Sequence, residues 1–108
     1  MDRPEIVFAL YKPQAGHEKE LEKLVSKHFP TLKKYGLVTN RHPTVVRSKN
    51  GTIIEIFEWK SSAATREAHE HPAIAKIWEA MEKISTFVSL DSLEEAKKAM
   101  AHFEPIAI

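Results

Sequence analysis

Apolar residues are distributed along the chain in two patterns, one continuous and one periodic. A short unbroken run occurs at residues 6–11, and residues 52–59 are mostly apolar on both faces of a strand, with proline or glycine close to the borders of both segments. Such runs are typical of strands that are covered on both faces. A third strand is predicted over 41–48, where Pro43 favours an edge position, and a fourth at about 86–90.

Between these runs the apolar residues recur at helical spacing, with lysine and glutamate between them. The first helix is predicted over about 17–35, with Gly36 placed to end it. Pro30 should kink this helix or begin a second short segment. The pair Ser61-Ser62 predicts the start of a second helical stretch, which Pro72 interrupts before it continues to about residue 84.

Two further local signals concern a turn and the end of the chain. Asn50-Gly51 predicts a two-residue hairpin loop of type I′ between the second and third strands. Ser92-Leu93-Glu94-Glu95 has the pattern of a capping box and predicts a last helix, stopped by Pro105. Four apolar residues of that helix are expected to face inward: Leu93, Ala96, Met100 and Phe103.

The predicted order is β-α-β-β-α-β followed by an extra C-terminal helix, within one domain of residues 1–108. This order is that of an α+β protein with a ferredoxin-like plait, whose first and third strands are central and whose helices cover one face of the sheet. The other face would expose about five large side chains, whose burial is worth on the order of 10 kcal/mol before the entropy of association. We therefore expect a homodimer. The alternative is a monomer in which the final helix and tail fold over the open face.

The amino-acid composition of the chain argues against several classes of function. Hydrophobic residues make up 43% of the chain and charged residues 29%, and the net charge is +1, which gives no electrostatic signature of a nucleic-acid or membrane partner. The chain has no cysteine, which excludes disulfides, thiolate catalysis and cysteine–zinc sites. The pattern of a signal peptide and long apolar runs are both missing, so a cytoplasmic protein is expected.

The strand 54–59 and the segment that follows it, Ser61 and then Ala68-His69-Glu70-His71-Pro72, resemble the dimeric α+β barrel superfamily. Among its members the chain is most similar to small proteins of the antibiotic-biosynthesis-monooxygenase-like group. In that group a strand ending in an aromatic residue leads into a helix bearing a histidine, and Trp59 and His69 match this layout. The resemblance implies a homodimer of two sheets packed face to face, with a pocket between sheet and helices. Members include cofactor-independent oxygenases of aromatic polyketides and haem-degrading enzymes, so the fold alone does not fix a reaction.

His69 and His71 form the densest cluster of titratable groups. On a regular helix they would point in opposite directions, but His71 precedes Pro72, and a break there would let both rings border one cleft. They are candidates for a general base. The alternative is that they cap a helix end. No spacing indicates a metal site, and a cofactor is not expected, although a haem would need only one axial histidine.

Glu55 is the third candidate for catalysis, because it lies mid-strand among apolar residues. A buried carboxylate is costly unless it is paired, and burial shifts its titration toward neutral pH. The alternative is a structural ion pair with Arg47 on the neighbouring strand or with the partner subunit.

Ligand-binding candidates are mainly aromatic. Trp59, Phe57, Trp78 and Tyr11 are placed to stack on a planar ligand, although such residues are more often part of the core. Arg41 is a candidate to receive an acidic group of the ligand, with a solvated edge charge as the alternative.

Three hypotheses remain open from sequence. The first is a cofactor-independent monooxygenase, or a related proton-abstracting enzyme, with an aromatic or polyketide-like substrate. The second is a non-catalytic module that binds a small ligand or another protein. The third is a protein that binds or degrades haem.

Overall fold

The computed structural model describes residues 2–108. Its strands are β1 (Glu5–Pro13), β2 (Thr44–Arg47), β3 (Ile53–Trp59), β4 (Ser85–Phe87) and β5 (Glu104–Pro105). Its helices are α1 (Glu18–Lys34), α2 (Ser62–Glu70) and α3 (Pro72–Ile84), and two short 3-10 turns, Leu90–Ser92 and Glu94–Lys97, follow β4. The fold is α+β. Within residues 2–108, no helix has both the length and the apolar character needed to cross a bilayer.

The five strands form one antiparallel sheet in the order β4-β1-β3-β2-β5. The central positions predicted for the first and third strands are therefore confirmed. The edge position predicted for β2 is wrong, because the two-residue strand β5 pairs along its outer side. Pro43 lies just before β2 and so takes no ladder position.

Alternate residues of the central strands face opposite sides of the sheet. On one side Ala9, Glu55 and Val45 lie next to one another across β1, β3 and β2. This side carries all three helices: apolar residues of α1, α2 and α3 pack on Phe57, Ile53 and their neighbours. The main core and the buried polar group at Glu55 therefore lie between sheet and helices.

The helix boundaries follow the predicted signals in most places. Gly36 has φ +70° just after α1, and the Ser61 hydroxyl accepts a hydrogen bond from the backbone N–H of Ala64 at the start of α2. Pro72 does end one helix and begin the next, with His71 in an extended conformation between them. Pro30 does not begin a second segment, because α1 continues through it with Pro30 on its exposed side.

The loop between β2 and β3 has one residue more than the two-residue type I′ loop that the sequence predicts. The backbone N–H of Ser48 donates to the Thr52 carbonyl at 2.9 Å, which encloses Lys49, Asn50 and Gly51. Only Gly51 has positive φ, whereas a type I′ turn would need it at two residues. The Asn50 carboxamide oxygen instead accepts a hydrogen bond from the Thr52 backbone N–H, and this favours the three-residue loop.

The predicted C-terminal helix is wrong. The Ser92 hydroxyl donates to the Ser89 carbonyl, and the Glu95 carboxylate accepts from the backbone N–H of Lys49 on the neighbouring hairpin, so neither member of the predicted capping box binds a backbone N–H of the other. The Lys49 hydrogen bond also lowers the pKa of Glu95. Of the four residues expected to face inward, Leu93 is buried and Phe103 partly buried, whereas Ala96 and Met100 are exposed.

The second face of the sheet is covered only in part by this C-terminal segment. Leu93 packs against Leu10 and Ile54, with Phe103 beside them. Farther along the same face of β1, Ile6 remains 47% exposed and Phe8 48% exposed. The chain thus covers one half of this face with its own tail and leaves the other half open.

Replacing Leu93 with alanine should lower the free energy of unfolding by about 2–5 kcal/mol, the range for truncating a buried leucine. Met100→Ala is the matched control and should change it by less than about 0.5 kcal/mol, because Met100 is 76% exposed. Urea unfolding of both variants measures the difference. Equal losses would mean that residues 92–103 form the amphipathic helix that their sequence pattern favours.

Candidate functional site

A cleft opens where β1 lacks a neighbouring strand. Strand β4 pairs only with Tyr11, Lys12 and Pro13, so in the described chain the first half of β1 has a free edge on this side. The backbone N–H of Val88 still donates to the Leu10 carbonyl, at 3.2 Å, and beyond this point the two segments separate. Helices α2 and α3 pass over the gap and form its other wall.

The cleft has a volume of about 370 Å³ and a mainly apolar lining. This size and character are typical of small-molecule sites. The lining residues come from every layer of the fold: Val7, Phe8, Ala9, Leu10 and Tyr11 of β1, His28 of α1, Phe57 and Trp59 of β3, Thr65 and His69 of α2, Trp78 of α3, and Phe87 and Val88. Both tryptophans of the chain are among them.

Behind this lining lies a buried polar network centred on Glu55. Its Oε1 atom accepts a hydrogen bond from the Tyr11 hydroxyl at 2.8 Å and lies 2.8 Å from Nδ1 of His28. The indole Nε1–H of Trp78 donates to Nε2 of His28, also at 2.8 Å. Glu55 is 1% exposed and His28 2% exposed. Four side chains from β1, β3, α1 and α3 thus form one continuous chain of hydrogen bonds.

The hydrogen bond from Trp78 identifies the tautomer of His28. An indole nitrogen only donates, so Nε2 of His28 must be the unprotonated nitrogen, and its proton lies on Nδ1. Nδ1–H then donates to Glu55. His28 is therefore neutral, and its contact with Glu55 is a hydrogen bond to a carboxylate rather than an ion pair.

The network also holds the Tyr11 phenol in its protonated form. Burial raises the pKa of Tyr11 well above its usual value of 10.0, and the negative charge of Glu55 and the hydrogen bond to it raise the pKa further. A Tyr11 phenolate would face the Glu55 carboxylate in a buried site. The hydroxyl therefore acts as a donor to Glu55 and not as a base.

The two candidate histidines of the α2–α3 junction are separated by the structure. The His69 ring lies in the cleft against Trp78, with ring centres 4.9 Å apart. The His71 ring lies against Tyr35, and its Nδ1 accepts a hydrogen bond from the Ala73 backbone N–H, which caps α3. The break at Pro72 exists but turns His71 away from the cleft.

The two arginines considered from sequence lie elsewhere. Arg41 is exposed and pairs with Glu58 at 3.4 Å, outside the lining of the cleft. Arg47 lies near Glu22 and Glu104, so the ion pair expected between Arg47 and Glu55 is wrong. The reason is that α1 places His28 directly over Glu55, while Arg47 lies one strand farther out, at the end of β2.

His28 is the central site residue that the sequence reasoning did not assign. It lies on the buried side of α1 with Leu21, Val25 and Leu32. A polar residue within the apolar stripe of a helix is the signal in the sequence that indicates it.

Asp2 is a second residue that the sequence reasoning does not assign. Its carboxylate accepts hydrogen bonds from the Ser62 hydroxyl and from the backbone N–H groups of Ala63 and Ser62, and these hydrogen bonds lower its pKa. They also attach the N-terminal segment to α2.

Two other features of residues 2–108 bear on the choice of site. Among the side chains of residues 2–108, no three His, Cys, Asp or Glu residues gather as metal ligands. A second hollow of about 460 Å³ lies between α1, the segment before β2 and the C-terminal tail. Its polar lining residues, Ser26 and His42, are not buried, so it lacks the fixed polar groups that mark the cleft.

The raised pKa of Tyr11 predicts a loss of stability in alkali. Above pH 10.0 the unfolded chain releases the Tyr11 proton while the folded chain keeps it, so the free energy of unfolding falls with pH, by up to about 1.4 kcal/mol per pH unit. Tyr11→Phe should reduce this slope. Urea unfolding between pH 8 and pH 11 measures it, with Tyr35→Phe at the surface as the matched control. Equal slopes in wild type and Tyr11→Phe would contradict the burial of this phenol.

Comparison with known proteins adds no function to this geometry. No protein-family model, no curated protein and no solved structure matches the chain. The chemistry of the cleft is therefore argued from its own side chains.

Proposed function

We propose that the cleft binds a small, planar, largely apolar molecule that carries one acidic group, and that His69 receives that group. The observation that carries this proposal is the contrast between His69 and the other two titratable residues that line the cleft, Tyr11 and His28. Tyr11 and His28 are committed to Glu55 and Trp78, whereas His69 is exposed and its ring contacts Trp78 at an angle of 60° between the ring planes. Its nitrogen atoms are available to a ligand.

The surrounding rings favour an aromatic ligand. Phe57 and Trp59 lie edge to face with centres 5.1 Å apart, and Tyr11 and Phe87 are arranged in the same way at 5.4 Å. Together with Phe8 and Trp78 these rings supply much of the apolar lining of the cleft. A phenol or enol bound between them would place its acidic proton near the imidazole of His69.

The reaction that we propose is proton abstraction by His69, as in a cofactor-independent monooxygenase on an aromatic or polyketide-like substrate. His69 takes a proton from the enol or activated CH2 group of such a substrate, and the resulting carbanion supplies the electrons that reduce dioxygen. A C–O bond forms and the O–O bond then breaks, so that CH2 and O2 become C=O and H2O: one oxygen atom stays in the product and the other leaves as water. An imidazole suits this step because it titrates near neutral pH. If the chain has no such activity, the same site acts as a non-catalytic ligand-binding module.

We also propose that the sheet is a ferredoxin-like plait and that two copies form a dimeric α+β barrel. Support for the plait comes from the strand order β4-β1-β3-β2 and from the helices on a single face. Support for the dimer comes from the half of the second face that the C-terminal segment leaves open, with Ile6 and Phe8 nearly half exposed and Ile56 partly buried between the two halves. A second copy is an occupant of matching shape, because each copy would shield the other's face.

Ligand binding can be measured with 2-naphthol and with its methyl ether, which has the same rings but no acidic proton. Quenching of tryptophan fluorescence reports the cleft, because both tryptophans line it. His69→Ala should weaken binding of 2-naphthol about ten-fold, the value of one hydrogen bond of about 1.4 kcal/mol, and leave the methyl ether unchanged. His71→Asn keeps the helix cap outside the cleft and is the control. Unchanged affinity of His69→Ala for both probes would remove His69 from the site.

The dimer can be tested by light scattering of the purified protein. Wild type should have twice the 12.3 kDa mass of the chain. Ile6→Glu places a charge on the open face, without altering a residue of the cleft, and should give a monomer, because burying an unpaired charge in an interface is costly. Lys19→Glu on the exposed side of α1 is the control and should remain dimeric. A monomeric wild type at micromolar concentration would contradict the proposed barrel.

A further inference from the structure

Three successive contacts connect the buried network to His69 in the cleft. Glu55 accepts a hydrogen bond from Nδ1–H of His28, His28 accepts one from Nε1–H of Trp78, and the Trp78 ring contacts the imidazole of His69. We propose that Glu55 and His28 are positioning residues that hold the indole of Trp78 as a fixed wall of the cleft and as the platform for His69. The inference rests on the proposed function for its effect on ligands.

The wall needs such support because of where Trp78 lies. It is only partly buried and borders both main clusters of the core without belonging fully to either. Apolar packing alone would allow its ring to turn toward the open cleft. The hydrogen bond from Nε1 to a histidine that is 2% exposed ties one edge of the indole to the interior.

Glu55 determines whether His28 can act as this acceptor. A neutral imidazole exchanges between two tautomers, and only the one with its proton on Nδ1 leaves Nε2 free to accept. The carboxylate 2.8 Å from Nδ1 selects that tautomer. Tyr11 donates to the same oxygen of Glu55 and holds the carboxylate in place. The buried charge thus acts on the cleft through two hydrogen bonds rather than by touching a ligand.

The same chain of bonds limits what the cleft recognises. The O–H of Tyr11, the N–H of His28 and the N–H of Trp78 all point inward, so these residues present ring faces and no donor to a ligand. The remaining polar side-chain atoms of the lining belong to His69, Thr65 and Trp59, so polar groups of a ligand elsewhere in the cleft would be left unpaired, which is costly. The class that fits is an aromatic ring system whose single acidic group lies at the His69 end.

Two replacements of His28 with similar size separate the hydrogen bonds from the packing. Glutamine can donate to Glu55 and accept from Trp78, whereas leucine can do neither. We expect exchange of the Trp78 indole N–H with solvent to be at least about ten-fold faster in His28→Leu than in wild type, and close to wild type in His28→Gln. Trp78→Phe identifies the indole signal by its loss. Nitrogen-15 NMR of wild type should show Nε2 of His28 without a proton.

Ligand affinity supplies the second measurement, with the methyl ether of 2-naphthol because it does not depend on His69. His28→Leu should bind this ether about ten-fold more weakly than His28→Gln. In the Trp78→Phe background, which lacks the indole N–H, the two His28 variants should bind equally. A protonated Nε2, or equal indole exchange in the leucine and glutamine variants, would overturn the inference. Failure of wild type to bind either naphthalene probe would instead overturn the proposed function, because the NMR measurements need no ligand.

Discussion

A carboxylate in the middle of a sheet, beneath a helix and beside aromatic rings, costs several kcal/mol unless the protein supplies its hydrogen bonds. Glu55 meets this requirement at Oε1, with a phenol from β1 and an imidazole from α1, whereas its buried Oε2 has no hydrogen-bond partner within residues 2–108. Both partners must lie within about 3 Å of one oxygen atom, so the register of β1 on β3 and the position of α1 over the sheet are fixed together. A shift of β1 by one residue would turn Tyr11 to the opposite face and leave the carboxylate without its phenol.

The hydrogen bonds of Glu55 also determine where the walls of the cleft lie. Tyr11 is the first residue of β1 along the chain that β4 covers, since β4 pairs only with residues 11–13. His28 in turn places Trp78, which forms the wall opposite the free edge of β1. The network therefore marks the boundary between the closed core, where Ile53, Leu21 and Met81 pack, and the open end, where His69 is accessible. The buried carboxylate of Glu55 and the exposed imidazole of His69 are thus connected through His28 and the indole ring of Trp78.

Much of this arrangement is contained in local sequence patterns, and some is not. The apolar runs at 6–11 and 52–59 predict the central strands, and Ser61 and Pro72 predict the helix boundaries, because strand burial and capping depend on nearby residues. The final helix was wrong because the carboxylate of Glu95 and the side chain of Leu93 are used by distant partners, Lys49 and the Leu10–Ile54 pair. No window of sequence contains those contacts.

The candidate site shows the same division. Residue type and neighbouring residues indicate six of the site residues from the sequence. The structure places each of them in or directly behind the cleft: Glu55, Trp59, Phe57, Trp78, Tyr11 and His69. His71 and Arg41 fit the same residue types but point elsewhere, since a capping position and an exposed loop decide their directions. Neighbouring residues do not indicate His28 as a site residue, because no other candidate residue lies near it in the chain. Only the pairing of one polar residue on a buried helix face with one on a buried strand identifies it.

The position of Phe8 connects the two parts of the proposed function. Its side chain belongs to the half-open second face of the sheet, and it also borders the cleft at the free edge of β1. A second copy packed on that face would therefore restrict the movement of a cleft wall, and a ligand in the cleft would restrict a residue of the interface. Because coupling between two binding events is reciprocal, a ligand that binds the dimer more tightly than the monomer must also strengthen the dimer. The sheet edge that β4 leaves unpaired is then both the entrance of the site and the margin of the interface.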